Sequence, residues 1–188
     1  MTAFPSLQLS VSNVWLLLVA YGIGFLLALR PFSKGDKERL FADPKKPLRG
    51  IKKVALHFGQ LVAFAFIVLM VFTPIARKVG LLMSGMAIYV VGYFTVVVAL
   101  RYFRLADEGQ PASDGPYRVS RNPQWVGLFL VLMGSAILSA AWLPIAMVLL
   151  VGCIYHLQIL EEERACATLY GEDYINYLHQ VPRYFLWA

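Results

Sequence analysis

The 188-residue chain is 59% hydrophobic, carries a formal net charge of +6 and has a positive mean hydropathy. Soluble domains sit near about 45–50% apolar, so this excess excludes an ordinary water-soluble globule and points to a membrane. The length suits one domain, and the apolar runs lack the alternation of a membrane barrel, which leaves an all-α polytopic helical bundle.

Four long apolar runs occupy Val11–Leu29, Val54–Thr73, Val79–Leu100 and Trp142–Leu160. Each approaches the ~20 residues that a helix needs to cross a ~30 Å hydrocarbon core. A fifth, Trp125–Leu138, is shorter and either crosses obliquely or pairs with the last run through the tight turn Ser139–Ala141. The expectation is about five transmembrane helices in a single membrane domain, 1–188, with three spans in residues 1–100. No Lys or Arg precedes the first run, so the basic start of a cleavable signal peptide is missing and that helix is expected to stay. Within it, Gly22 and Gly24 form a GxG with no preceding strand, which reads as helix packing and not as a dinucleotide fingerprint.

The linker 30–53 holds nine basic residues against three acids and is broken by Pro31, Gly35, Pro44, Pro47 and Gly50. It is expected to lie irregularly at the headgroup surface, with a short interfacial turn around Asp36–Phe41. With five spans, the loop 101–122 and the C-terminal tail share its side, so that fifteen of the 17 Lys and Arg fall on one face; Arg77 and Lys78 lie opposite. The positive-inside rule makes that face cytoplasmic and puts the N-terminus outside. Attraction to anionic headgroups accounts for the basic balance better than nucleic acid does, and no protein partner is evident. In the second and third spans, His57, Gln60 and Tyr89 are expected to face the bundle interior and bond between helices. Cys153 and Cys166 have neither metal-site nor disulfide spacing and read as packing residues.

Two polar clusters follow. The first is "DGPYRVSRNPQW", Asp114–Trp125, in which Gly115 and Pro116 punctuate a turn. Asn122-Pro123 then starts a helix, Asn as N-cap and Pro at the first helical position. The free N–H groups of such a helix suit a ligand carboxylate; a well-capped span with Arg118 and Arg121 as interfacial anchors would look the same. The second cluster is "YHLQILEEERACATLYGEDYINYLHQVPRYF", Tyr155–Phe185. Here the last span runs on as a helix to Tyr170, ended by Gly171, and a short helix over Glu172–Gln180 precedes Pro182. Gln158 and Glu162 share a face, as do His156 and Glu163. A solvated helix end accounts for Glu161, but less well for the accompanying Tyr170, Tyr174, Tyr177 and Tyr184. The final hairpin, Val126–Leu160, brings both clusters to one membrane face. There is no metal-ligand spacing, Ser-His-Asp set or P-loop. The inventory suits a ligand with a carboxylate and hydroxyls beside a sulfonium or other cation that favours aromatic faces.

In order and spacing, "GPYRVSRNPQWVG" followed by "EEERACATLYGEDYINYLHQVPRY" resembles the isoprenylcysteine carboxyl methyltransferase and phospholipid methyltransferase superfamily over roughly Asp114–Tyr184. The resemblance implies an integral membrane methyltransferase that uses S-adenosyl-L-methionine without a Rossmann domain. Residues 101–188 would be the cofactor-binding catalytic core. It implies cofactor contacts at Tyr117, Arg121, Asn122, Pro123, Gln124, Trp125, Glu162 and Tyr174. Gln158 and Arg164 fall on the substrate side, and Glu163 or His156 would take the proton of an amine acceptor. The acceptor is expected to be a lipid-like or isoprenylated amphipath entering from the bilayer. Three positions depart from the family pattern: Asn122 replaces His, Trp125 replaces Tyr, and Gln158 replaces an Arg that pairs a substrate carboxylate. These departures fit a bacterial inner-membrane enzyme of a different lipid-like substrate rather than one of the endoplasmic reticulum. The alternatives are a non-catalytic lipid-binding membrane protein and a sterol-reductase-like NADPH enzyme, the latter disfavoured by length.

Overall fold

The computed structural model describes residues 1–10, 12–41, 50–107 and 109–185. Among them the chain forms seven α-helices and no sheet: α1 Trp15–Ala28, α2 Lys34–Leu40, α3 Ile51–Phe72, α4 Val79–Leu105, α5 Pro123–Leu138, α6 Trp142–Tyr170 and α7 Glu172–Gln180, with a 3-10 turn at Gly115–Arg118. Val11, the expected start of the first span, and Pro44, Lys45, Lys46, Pro47 and Arg49 of the linker lie outside the described residues.

Three helices, α3, α4 and α6, are long and apolar enough to cross a membrane. The other two apolar helices of the expected bundle are shorter. With 14 and 16 residues, α1 and α5 reach only about 21 and 24 Å at 1.5 Å per residue, short of a ~30 Å core. The first is short because the residues before Trp15 run along the end of the bundle. Gln8 N–H donates to Phe72 O (2.8 Å), Val14 N–H to Thr73 O (2.9 Å), and Trp142 N–H to Thr2 O (2.9 Å). Buried Asn13 adds two bonds from its side-chain amide, to Gln8 O and Val71 O. The N-terminal segment, the α3–α4 connection and the α5–α6 turn are thus stitched together at one end.

At that far end a single apolar cluster joins Val14, Phe66, Met70, Ala136, Leu138 and Val148, with Leu82 and Met86 of α4 against it. All five apolar helices contribute. At the opposite end the packing divides. Leu29 and Phe32 pack with Val96 and Leu100, while Tyr174, Tyr177 and Val181 form a separate core between α6 and α7. The linker side, the end of α4, the 3-10 turn and the α6–α7 extension meet here. Arg39 of α2 donates to Phe103 O (2.6 Å) and Ala106 O (3.3 Å) and stacks on the Phe103 ring, satisfying carbonyls left open at a helix C-terminus. Arg104 reaches Pro31 O (3.2 Å). The expected interfacial turn at Asp36–Phe41 is instead a regular helix, because Ser33 and Asp36 form a capping box.

The tightest approach is between α4 and α5. A Cβ placed on Gly92 would lie 2.6 Å from Gly127 O, and one on Gly134 would lie 2.6 Å from Gly85 O. Both helices carry their glycines seven residues apart, so two antiparallel stripes meet backbone to backbone. Gly24 of α1 is likewise filled by the Tyr93 side chain, whereas Gly22 faces open space. Tyr89 is buried and its hydroxyl donates to Leu17 O (2.6 Å), an interhelical bond of the expected kind. His57 and Gln60 differ from expectation: both are exposed on α3, and His57 Nδ1 lies 2.8 Å from Lys53 O of its own helix. Their positions point away from the Gly59 face, which packs on Ile154.

Replacing Gly127 by leucine should destabilise the protein by about 1–3 kcal/mol through overpacking. Gly22→Ala should leave the thermal midpoint in detergent unchanged or higher, since alanine favours the helix by roughly 1 kcal/mol. A scan of the two variants side by side checks the difference.

Candidate active site

Each polar cluster is placed by its own local chemistry. Gly115 adopts φ 59°, and a Cβ there would strike the Tyr102 ring at 2.7 Å. This turn buries Tyr117, whose carbonyl accepts from the Tyr177 hydroxyl (2.7 Å) and whose hydroxyl accepts from Gln124 Nε2 (2.8 Å). Burial pushes both phenols well above their ordinary range, so they stay neutral and Tyr177 remains a donor. Buried Ser120 donates its hydroxyl to Arg183 O (3.0 Å) and accepts from Asn122 N–H (3.2 Å).

Asn122 stands at the N-cap position of α5, with Pro123 in the first turn, but its side chain makes no cap. It reaches across to α6 instead, Nδ2 donating to Glu163 Oε1 (3.0 Å) and, more weakly, to Arg183 O (3.4 Å). A cap would need Asn122 Oδ1 to accept a first-turn N–H; the side chain is instead oriented by the charge-assisted bond of its Nδ2 to the buried carboxylate, and Oδ1 makes no cap. The first-turn N–H groups of α5 are left without a side-chain acceptor from that residue.

On the other side, α6 continues to Tyr170 and α7 covers Glu172–Gln180, where the sequence placed them. Glu162 lies about 30 Å along α6 from Trp142 at 1.5 Å per residue, the depth of one hydrocarbon core. It and Glu163 are neighbours with different company. Glu163 Oε2 receives Arg183 Nε (3.0 Å) and Nη2 (2.8 Å). Arg121 Nε sits 3.4 Å from Oε1 without forming a hydrogen bond. The Glu163 and Arg121 side chains are 7% and 8% exposed, so this is a buried charge with two guanidinium partners. The Glu163 carboxylate holds the Arg183 guanidinium above its usual range.

Glu162 has neutral donors only: Trp125 Nε1 on Oε2 (3.1 Å) and Gln158 Nε2 on Oε1 (2.9 Å). Among the described residues no Lys or Arg nitrogen lies within 4 Å of it. The Trp125 ring is 5.4 Å from that of Tyr155, so the carboxylate lies beside an aromatic pair. An unpaired carboxylate next to aromatic faces attracts a cation.

The fold therefore gathers Tyr117, Arg121, Asn122, Pro123, Gln124, Trp125, Gln158, Glu162 and Glu163 at one end of the bundle. It does not bring Arg164, which is exposed and pairs with Glu161 (2.8 Å). Lys52 of α3 takes the same oxygen at 3.2 Å. Tyr174 is buried in the α6–α7 core, against Tyr170 and Tyr177. His156 sits on the Glu163 side of α6 with Nδ1 2.8 Å from the Tyr184 hydroxyl. Sequence reasoning missed Arg183, Ser120 and Tyr155 as members of the site. Tyr155 had a signal, standing seven residues before Glu162 and three before Gln158 on the same helix face. Arg183 had none, since its partners are distant in the chain; Ser120 bonds Asn122 two residues on, but its other partner, Arg183 O, is distant.

An all-helical membrane protein with an acidic, aromatic site at the basic end of its bundle is the class this arrangement defines. A model of the phospholipid methyltransferase family matches residues 68–173, more than half of the 188 residues, and the chain belongs to that family. The match runs from the end of α3 into the start of α7 and includes both acids, Asn122 and Trp125. No curated protein and no solved structure matches the chain.

The adjoining acids should respond differently to neutralisation. Glu163→Gln leaves two arginines without their counter-ion and should cost about 3 kcal/mol or more, as for other broken buried pairs. Glu162→Gln keeps the Trp125 N–H on its remaining carbonyl oxygen and meets Gln158 through its new amide N–H once the Gln158 amide flips, so it should stay within about 1 kcal/mol of wild type. Urea unfolding in detergent, followed by tryptophan fluorescence, distinguishes the two.

Proposed function

We propose that the chain is an S-adenosylmethionine-dependent methyltransferase acting on a lipid-like amphipath. The reading is carried by Glu162, a half-buried carboxylate whose partners among the described residues are Trp125 and Gln158. The residues present fit the cofactor. Glu162 and the Trp125–Tyr155 pair suit its positive groups, and the uncapped first turn of α5 suits its carboxylate. When bound, the cofactor supplies an electrophilic methyl group on a sulfonium. The chain's own part is positioning. Tyr117 holds Gln124 and so the first turn of α5, and Glu162 holds the Trp125 indole through its N–H.

The same residues bear on the acceptor. Gln158 spends its amide on Glu162, and among the described residues no Lys or Arg nitrogen lies within 4 Å of that carboxylate, so the carboxylate of a prenylcysteine would face a negative charge without a paired counter-ion. A lipid with a neutral or amine headgroup suits the site better, in keeping with the family. An amine loses a proton on methylation. Of the two candidates to receive it, Glu163 is committed to Arg121, Arg183 and Asn122. His156 keeps an Nε2 with no hydrogen-bond partner among the described residues, and we assign the role to it on that ground. The basic end would face the cytoplasm, with the cofactor arriving from water and the acceptor from the bilayer.

Calorimetric titration of S-adenosylhomocysteine into the detergent-purified chain should show saturable binding, weakened by about tenfold or more in Glu162→Gln, the cost of one charged partner. Absence of binding by folded wild type removes the cofactor reading and leaves a lipid-binding membrane protein. With binding established, turnover should be greater with an amine-headgroup lipid than with a prenylcysteine; the reverse order would overturn the acceptor assignment.

A further inference from the structure

Arg183 lies beyond the residues matched by the family, yet it bonds to both polar clusters. Its guanidinium forks onto Glu163 Oε2 at 3.0 and 2.8 Å. Its backbone carbonyl accepts from Ser120 Oγ (3.0 Å) and Asn122 Nδ2 (3.4 Å). The preceding carbonyl, Pro182 O, accepts from Arg121 N–H (2.9 Å). The tail thus returns from α7 and lies across the loop that leads into α5. Every contact ends on Glu163 or on residues 120–122, one step in sequence from Glu162 and three from Trp125.

We propose that Arg183 is a positioning residue of the active site, acting through Glu163 and Asn122 to hold Glu162 and Trp125 in register. Two features carry this beyond a simple staple. First, Asn122 gives its amide to Glu163 rather than to its own helix, so the start of α5 is located by the same carboxylate that Arg183 fixes. Second, the four charges of Arg121, Arg183, Glu162 and Glu163 sum to zero. Loss of Arg183 would leave an uncompensated negative charge beside the site and soften the alignment of Trp125 with Glu162. Arg183 brings two fixed N–H groups onto one Glu163 oxygen, which a point-charge lysine does only in part.

The claim rests on the cofactor reading for its ligand, and its test separates the two. The full chain in detergent is titrated with S-adenosylhomocysteine as wild type, Arg183→Gln, Arg183→Lys, Glu163→Gln and the double variant Glu163→Gln/Arg183→Gln, at a temperature where all are folded. Arg183→Gln should weaken binding by about tenfold or more, as misplacement of a ligand-holding group does. Arg183→Lys should recover part of that loss. In the Glu163→Gln background the Arg183 change should have little further effect, the non-additivity expected of residues that act as one unit. A lowered thermal midpoint with unaltered affinity, or losses that simply add, would overturn the proposal. If wild type does not bind, the cofactor reading fails by itself. Positioning is then judged by amide exchange in the ligand-free protein. Arg183→Gln should speed exchange in residues 117–126 and leave the α4–α5 crossing protected; unchanged exchange there, or faster exchange throughout, would overturn it.

Discussion

A carboxylate buried where water is scarce must be met by positive charge, and at Glu163 that requirement organises the functional end of the molecule. One partner, Arg121, precedes α5; the other, Arg183, comes from the tail beyond α7. To deliver both, α6 continues to Tyr170, and the chain turns at Gly171 and returns through α7. The Tyr174–Tyr177–Val181 core makes that return compact. Burying such a pair is costly in isolation, and it persists when the remaining lone pairs are also bonded. Asn122 provides that last bond, which is why it leaves the helix end uncapped.

Once Glu163 is neutralised, its neighbour is free to serve a different purpose. The two acids are consecutive and therefore about 100° apart around α6, so one faces the tail while the other faces Trp125. The difference in role is one of company: two guanidiniums in one case, an indole and an amide in the other. A site of this kind needs no metal ligand set or nucleophile. What it brings to one end of the bundle is a carboxylate, an aromatic pair and a helix start without a side-chain cap.

That arrangement depends on a scaffold that is tight at one end and divided at the other. The far end is held by backbone bonds among the N-terminal segment and two connections, and by an apolar cluster shared by five helices. The glycine stripes of α4 and α5 let two backbones approach as closely as side chains would otherwise forbid. Toward the basic end the apolar packing separates into two groups. The polar site occupies the side where no single core joins the helices.

Much of this was determined by sequence alone, for local reasons. Apolar runs of membrane length, the basic bias of one face, Gly171 as a helix stop and the spacing of Gln158 and Glu162 depend only on hydropathy, chain geometry and helical period. The bounds of α7 followed from the same signals. Short-range signals were also present but unread: the capping box at Ser33 and Asp36, the seven-residue glycine spacing, and Tyr155 on the Glu162 face. What only the tertiary structure decided is partnership. Asn122 suited a cap by propensity and was taken by Glu163; His57 and Gln60 suited the interior by polarity and face outward. In the sequence Glu162 and Glu163 differ only in the faces they share with Gln158 and His156. Which of them is neutralised depends on Arg121 and Arg183, brought beside them by the α5–α6 hairpin and the α7 return. Pairing across such distances is a property of the packed chain, because Coulomb attraction and hydrogen bonding act on separation in space and not on separation along the sequence.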